Sequence, residues 1–221
     1  MQARIIELLL FYPLFLFSLS FHEAAHGFVA HKFGDPTAKF MGRVTLNPLP
    51  HLDLIGTVFL PIFGILTGAP VIGWGKPVPV NPYNFKDARK DNLWVGAFGP
   101  ISNFVLALGF ALLTHLLVWL IPQVPQSMLV PGGFWPKAIG AVYSIFQMGV
   151  ILNLVLGCFN LLPLGPLDGG SVVRGLIPES AVPAFDRFQR YGLIILLVLF
   201  VTGFLKYIFY PVMLIASILL P

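Results

Sequence analysis

Three ionisable side chains with the spacing of a metal site lie near the start of the chain, in His22-Glu23-Ala24-Ala25-His26. On an α-helix, residues i and i+4 lie one above the other, so both imidazoles can reach one divalent cation. Glu23 is rotated by about 100° from His22, which places its carboxylate beside the metal, where it can accept a proton from an attacking water molecule. The alternative is a polar cluster at a helix end that faces lipid headgroups.

A catalytic zinc ion usually has three protein ligands and one open position, so a third ligand is expected elsewhere in the chain. The best candidate is Asp168, in the stretch 160–170 (NLLPLGPLDGG), where two prolines and several glycines break a helix. Broken backbone at membrane depth is tolerated only where it is buried in protein or lines a wet cavity. Without the histidine pair, Asp168 would equally well be a turn aspartate.

The composition predicts that these residues lie on membrane-spanning helices. Of 221 residues, 57% are hydrophobic and 10% are charged, whereas soluble domains carry about 25% charged residues. The net charge of +4 is modest, and the basic residues lie in loops, which does not favour nucleic-acid binding. Four apolar runs approach or exceed the ~20 residues that cross a bilayer: 5–21, 93–121, 138–164 and 189–220.

The other segments predict irregular structure at the membrane surface. Residues 54–67 are apolar but short for a crossing, which predicts a re-entrant or interfacial segment. Residues 37–50 (TAKFMGRVTLNPLP) contain β-branched residues around a central glycine, which predicts a short β-hairpin. Residues 69–91 are rich in proline and glycine, which predicts a loop. The run 189–220 could be a helical hairpin or one bent helix.

Charge asymmetry favours a topology in which 54–67 does not span. Ten basic residues then lie on one side of the membrane and only Lys137 lies in the opposite loop, as expected of a cytoplasmic face. In that topology the first helix and the 138–163 helix run parallel, so His26 and Asp168 approach the same face. The ten residues are Lys32, Lys39, Arg43, Lys76, Lys86, Arg89, Lys90, Arg174, Arg187 and Arg190.

The two motifs, FHEAAHGFVAHKFGD and NLLPLGPLDGG, resemble those of the site-2 protease family of intramembrane zinc metalloproteases, in particular its compact prokaryotic members without an accessory domain. The resemblance extends over most of residues 15–175. It implies that zinc is bound by His22, His26 and Asp168, that Glu23 is the catalytic base, and that three helices form the catalytic core.

Two asparagines also match the family pattern. The resemblance implies that Asn160 lies near the scissile peptide bond, where it would have a catalytic role, and that Asn103, in Gly99-Pro100-Ile-Ser-Asn103, faces the cavity that binds the substrate. The alternative for each is a hydrogen bond between helices. His51-Leu-Asp53-Leu54 resembles a family loop but lacks its proline, and we assign it no catalytic role.

We therefore expect one membrane-embedded metalloprotease domain over residues 1–221, with a core at about 5–175 and C-terminal transmembrane segments at about 187–220. The expected fold class is an all-α polytopic membrane protein with a small surface hairpin. The expected activity is zinc-dependent hydrolysis of transmembrane protein substrates within the bilayer, with the site toward the cytoplasmic face of a prokaryotic membrane. The alternative function is a zinc transporter or sensor. The sequence does not predict an oligomeric state.

Overall fold

The computed structural model describes residues 2–68, 71 and 73–221, with the backbone alone for residues 2–4 and 7. Helices dominate this part of the chain, and three of them are long and apolar enough to cross a membrane: Leu8–Lys32, Ala88–Gln123 and Phe134–Asn160. The α-helices are, in order, α1 (Gln2–Lys32), α2 (Thr37–Phe40), α3 (Leu60–Thr67), α4 (Ala88–Leu120), α5 (Phe134–Asn160), α6 (Asp168–Leu176), α7 (Val182–Gln189), α8 (Gly192–Val201) and α9 (Leu205–Leu219).

The three spanning helices pack against one another with α4 in the middle, in contact with both α1 and α5. Small side chains let the helices approach closely: Ala107 and Ala111 of α4 pack on Val150 of α5, and Val212 and Ala216 of α9 complete this cluster. Small residues at helix interfaces are the usual means of association in a bilayer, where van der Waals packing provides much of the stabilisation. The predicted three-helix core is therefore confirmed.

The C-terminal apolar run forms two helices, α8 and α9, bent by 79° at the break between them. By length and composition the pair counts as one broken span or a re-entrant segment. Gly203, with φ of +69°, lies in the break and adopts a conformation that favours glycine. The helix α9 contacts α5, whereas the apolar side chains of α8 are largely exposed.

The short apolar segment 54–67 forms a π-helical turn, Leu54–Phe59, that continues directly into α3. Asp53 caps the turn, because its carboxylate accepts hydrogen bonds from the backbone N–H groups of Ile55 and Gly56. The segment packs on α1 and is shorter than the spanning helices. Its length agrees with the expected re-entrant or interfacial segment, and this role gives Asp53 a structural function.

The prediction of a β-hairpin over residues 37–50 is wrong, because no β-strand is formed anywhere in residues 2–68, 71 and 73–221. Thr37–Phe40 form the helical turn α2 instead, and Gly42, with φ of +67°, lies in the turn that follows it. A β-hairpin requires a ladder of hydrogen bonds between two strands. The side chain of Arg43 instead hydrogen-bonds the backbone of a second irregular segment, residues 73–81.

Candidate metal centre

The inner half of α1 brings His22 and His26 together, as their spacing predicts. Both side chains are buried, and their ring centroids are 4.7 Å apart. The two Nε2 atoms are 3.0 Å apart. Two imidazoles on one helix face thus present a nitrogen atom each to the same point.

The third predicted ligand comes from a segment far away in the sequence. Asp168 is the first residue of α6, and its Oδ2 lies 3.1 Å from His22 Nε2 and 3.4 Å from His26 Nε2. Gly169 makes this approach sterically accessible, since a Cβ there would lie 2.3 Å from the carbonyl oxygen of Leu161. The end of α7 supports the same turn through a hydrogen bond from Gln189 Nε2 to the carbonyl oxygen of Pro163.

In neutral imidazole rings, the hydrogen bonds behind His22 and His26 place the proton on Nδ1 and leave each Nε2 with a lone pair. His26 Nδ1 lies 2.7 Å from the carbonyl oxygen of Val95, which can only accept, so Nδ1 carries the proton of the neutral ring. His22 Nδ1 lies 2.6 Å from Asn103 Oδ1 and is protonated for the same reason. Such outer contacts orient metal-bound histidines in many proteins.

The residues present fit a zinc ion. The two Nε2 atoms and Asp168 Oδ2 lie within 4.8 Å of one another, and Oδ2 is buried without a hydrogen-bond donor. Three lone pairs that face one another repel unless a cation lies between them. In a tetrahedral zinc site with bonds of ~2.0–2.2 Å, ligand atoms lie ~3.3–3.6 Å apart, close to the separations found here.

The backbone of α4 passes directly over the two imidazoles. A Cβ at Gly99 would lie 2.4 Å from His26 Cε1 and Nε2 and 2.7 Å from His22 Cε1. Real carbon atoms in contact are ~3.5–4.0 Å apart. Only glycine therefore fits here, which gives a steric reason for the glycine in the Gly99-Pro100-Ile-Ser-Asn103 stretch.

Glu23 is also buried, and its Oε2 accepts a hydrogen bond of 3.0 Å from the backbone N–H of Val78. Pro77 and Pro79 flank Val78, and proline has no N–H. Val78 therefore supplies the only backbone donor among residues 77–79. This contact fixes the orientation of the carboxylate beside the metal centre.

Two buried charged residues hold this segment in place. Arg43 Nη2 donates to the carbonyl oxygens of Lys76 at 2.5 Å and Pro77 at 3.2 Å. Asp35 is fully buried beyond the end of α1 and accepts hydrogen bonds from Asn81 N at 2.7 Å and from Asn84 Nδ2 at 2.7 Å. Thr37 donates to the same carboxylate through its backbone and its hydroxyl.

The two predicted asparagines have different surroundings. Asn160 is the last residue of α5, partly buried, and its Nδ2 donates to the carbonyl oxygen of Leu156. Asn103 is fully buried behind His22, and its Nδ2 donates to Asn153 Oδ1 at 2.9 Å. Asn153 was not predicted from the sequence, where the available signal was an amide within the apolar run VILNLVL.

Comparisons with known proteins agree with this chemistry. The family model described as Peptidase family M50 matches residues 10–203. "Putative zinc metalloprotease YwhC" of Bacillus subtilis is 39% identical over 214 residues, which cover 92% of this chain and 90% of that protein. "Putative zinc metalloprotease Rip2" of Mycolicibacterium smegmatis is 30% identical, over 85% of this chain and 64% of that protein.

An archaeal protein is also similar. "Zinc metalloprotease MJ0392" of Methanocaldococcus jannaschii is 23% identical over 81% of this chain and 38% of its own length. No solved structure matches the chain significantly.

Proposed function

The chain belongs to peptidase family M50, and from this premise we propose that it hydrolyses peptide bonds within transmembrane segments through a zinc ion bound by His22, His26 and Asp168. The protein is an intramembrane zinc metalloprotease of the site-2 protease family. The observation that supports this ligand set is the convergence of two bare Nε2 atoms and one buried, donor-free carboxylate oxygen on a single point.

The bound zinc ion would supply Lewis acidity, polarising the scissile carbonyl group and lowering the pKa of water near it. Glu23 is the proposed general base: its carboxylate accepts a proton from the attacking water and passes it to the leaving amine. The hydrogen bond from Val78 N–H holds one oxygen of Glu23 in place. Preorganisation of this kind lowers the barrier, because the base need not be reoriented during the reaction.

Asn160 and Asn103 receive different roles in this proposal. Asn160 ends α5 just before the turn that presents Asp168, and its carboxamide donates to the developing oxyanion of the substrate. Asn103 was predicted to contact substrate, but its burial and its two hydrogen bonds favour a role in orienting His22. The proposed domain is the whole of residues 1–221.

The proposed substrates are transmembrane proteins whose helices enter the site from the bilayer. Peptide bonds in a membrane helix are hydrogen-bonded within the helix, so a substrate must unwind locally before attack. The basic residues in the loops at the Asp168 end favour a location at the cytoplasmic face of a prokaryotic membrane. A strand-addition site on a 37–50 hairpin is not part of the proposal, because that hairpin is not formed.

The variant Glu23→Gln distinguishes a protease from a zinc transporter or sensor that uses the same ligands. Purified Glu23→Gln should retain stoichiometric zinc and lose cleavage of single-span substrates by 100-fold or more, as expected on removal of a general base. Asp168→Ala should lose both zinc and activity. Glu179→Gln is the matched control, because Glu179 is an exposed glutamate at the start of a short 3-10 helix, Glu179–Ala181, and has no part in the proposed site. Unchanged cleavage by Glu23→Gln would refute the assignment.

A further inference from the structure

A buried chain of polar side chains connects the three spanning helices behind His22. Asn103 of α4 lies between His22 and Asn153 of α5, and Asn153 Nδ2 donates to Ser18 Oγ of α1 at 3.0 Å. Ser18, Asn103 and Asn153 are all fully buried. Burying polar groups inside a membrane protein costs free energy unless each group is hydrogen-bonded, so we expect these three buried side chains to have a function.

The hydrogen bonds between these side chains have a fixed direction from donor to acceptor, which is set by a backbone carbonyl group. Asn153 Nδ2 also donates to the carbonyl oxygen of Gly149, one turn earlier on α5, at 2.9 Å. A carbonyl oxygen can only accept, so the amide nitrogen of Asn153 must face it and the amide oxygen must face Asn103. Asn103 then presents its own nitrogen to Asn153 and its oxygen to His22 Nδ1. Nδ1 must donate, and Nε2 is left bare.

We propose that Asn153 is a positioning residue that fixes the tautomer of His22 by transmitting the polarity of the Gly149 carbonyl through Asn103. The inference rests on the proposed zinc site, because it explains why His22 offers a lone pair there. The tautomer of His26 is fixed in the same way, by a direct hydrogen bond from Nδ1 to the carbonyl oxygen of Val95. The tautomers of both zinc-binding imidazoles are thus set by main-chain carbonyl oxygens. The oxygen acts directly on His26 and through two carboxamides on His22.

Asn153 and its neighbour Ser18 contribute differently to the direction of these hydrogen bonds. Ser18 accepts one of the two hydrogen bonds from Asn153 Nδ2, and the Gly149 carbonyl accepts the other. Removal of the Ser18 hydroxyl leaves the Gly149 contact and therefore the direction. Leucine has nearly the same shape as asparagine but no amide. Replacement of Asn153 by leucine therefore no longer fixes the orientation of the Asn103 carboxamide, which can flip and present its nitrogen to His22.

A third substitution makes the tautomer of His22 independent of how the side chain at position 103 is oriented. In Asn103→Asp both terminal atoms at position 103 are acceptors, so His22 Nδ1 must donate whichever way the carboxylate is turned. A carboxylate behind a metal-bound histidine is a common arrangement. The double variant Asn103→Asp/Asn153→Leu should therefore restore what Asn153→Leu loses, which a simple packing role for Asn153 does not predict.

The test measures zinc affinity by competition with a chelator in detergent, and histidine ¹⁵N chemical shifts in metal-free protein. Asn153→Leu should bind zinc about 10–100-fold more weakly and show a mixture of His22 tautomers. Ser18→Ala should stay within about twofold of the wild type, and the double variant should recover most of the affinity.

Two results with the variants would overturn the inference. One is an Asn153→Leu variant with wild-type zinc affinity and a single His22 tautomer; the other is a double variant as weak as Asn153→Leu. The metal-free wild type is itself a test that needs no variant, because His22 protonated at Nε2 contradicts the proposed direction. A wild type that shows the expected tautomer but binds no zinc would instead refute the proposed function.

Discussion

Adding a methyl group at Gly99 tests whether the backbone of α4 fixes the position of the two imidazoles that we propose bind zinc. The new Cβ in Gly99→Ala would lie 2.4 Å from His26 Cε1 and Nε2 and 2.7 Å from His22 Cε1, about 1 Å closer than the ~3.5 Å of ordinary contact. Neither ring can retreat freely, because each is held at Nδ1 by a short hydrogen bond. One or both rings, or the helix itself, must therefore move by about 1 Å.

A displacement of that size is large for a metal centre, in which ligand distances must hold to within about 0.2 Å. We expect Gly99→Ala to bind zinc at least 10-fold more weakly and to cleave a single-span substrate ~100-fold more slowly, the usual cost of a 1 Å misplacement. The assays are zinc content after dialysis against a chelator, and cleavage at saturating zinc.

The chain offers a matched control on the same helix. A Cβ at Gly109 meets nothing within 4 Å, so Gly109→Ala should leave zinc content and cleavage unchanged. Its stability should stay the same or rise by up to ~1 kcal/mol, the difference in helix propensity between glycine and alanine. If Gly99→Ala retains stoichiometric zinc and wild-type cleavage, the steric reasoning is refuted.

Two further predictions concern the segment that holds Glu23. Burial raises the pKa of Asp35, but the hydrogen bonds that its carboxylate accepts outweigh burial and hold the pKa below its ordinary value. The resulting stabilisation is present above the unfolded-state pKa of about 4 and is lost as the pH falls through the lower folded-state value. Asp35→Asn should therefore lower the unfolding free energy by about 2 kcal/mol at neutral pH and weaken the acid dependence of unfolding; identical acid profiles would contradict this. Arg43→Met should remove the contacts to the Lys76 and Pro77 carbonyls, lower kcat by about 10–100-fold through a less fixed Glu23, and leave zinc content unchanged. The control is Lys76→Ala, whose side chain is exposed, and an equal loss in the control would exclude a specific role for Arg43.

The features that can be predicted from the sequence are those that depend on a local pattern of residues. The spacing of His22 and His26 fixes their common face on any helix, and the charge asymmetry of the loops predicts that Asp168 lies on the same side of the bilayer. The short length of 54–67 predicts a re-entrant or interfacial segment, and the helical segment Leu54–Thr67 is shorter than the three helices of spanning length. Each of these conclusions needs only neighbouring residues or a count along the chain.

The remaining features depend on distances between segments that the sequence does not encode locally. The residue types in 37–50 favour extended structure, but a hairpin also needs two paired strands. The irregular segment 73–81 is instead held by side chains, through hydrogen bonds with Arg43 and Glu23. The contact between Asn103 and Asn153 requires the register of α4 against α5, which small residues such as Ala107 set by packing. Neither property appears in a single helix.

The wide separation of the metal ligands along the chain has a consequence for biogenesis. Two of the proposed ligands belong to α1, and the third follows α4 and α5 in the chain, after two further apolar helices of spanning length. A molecule that inserts either helix the wrong way round leaves the carboxylate on the far side, with only two imidazoles to retain the ion. On the proposed ligand set, a misinserted copy would lack a complete zinc site, so correct membrane insertion would be a condition for proteolytic activity.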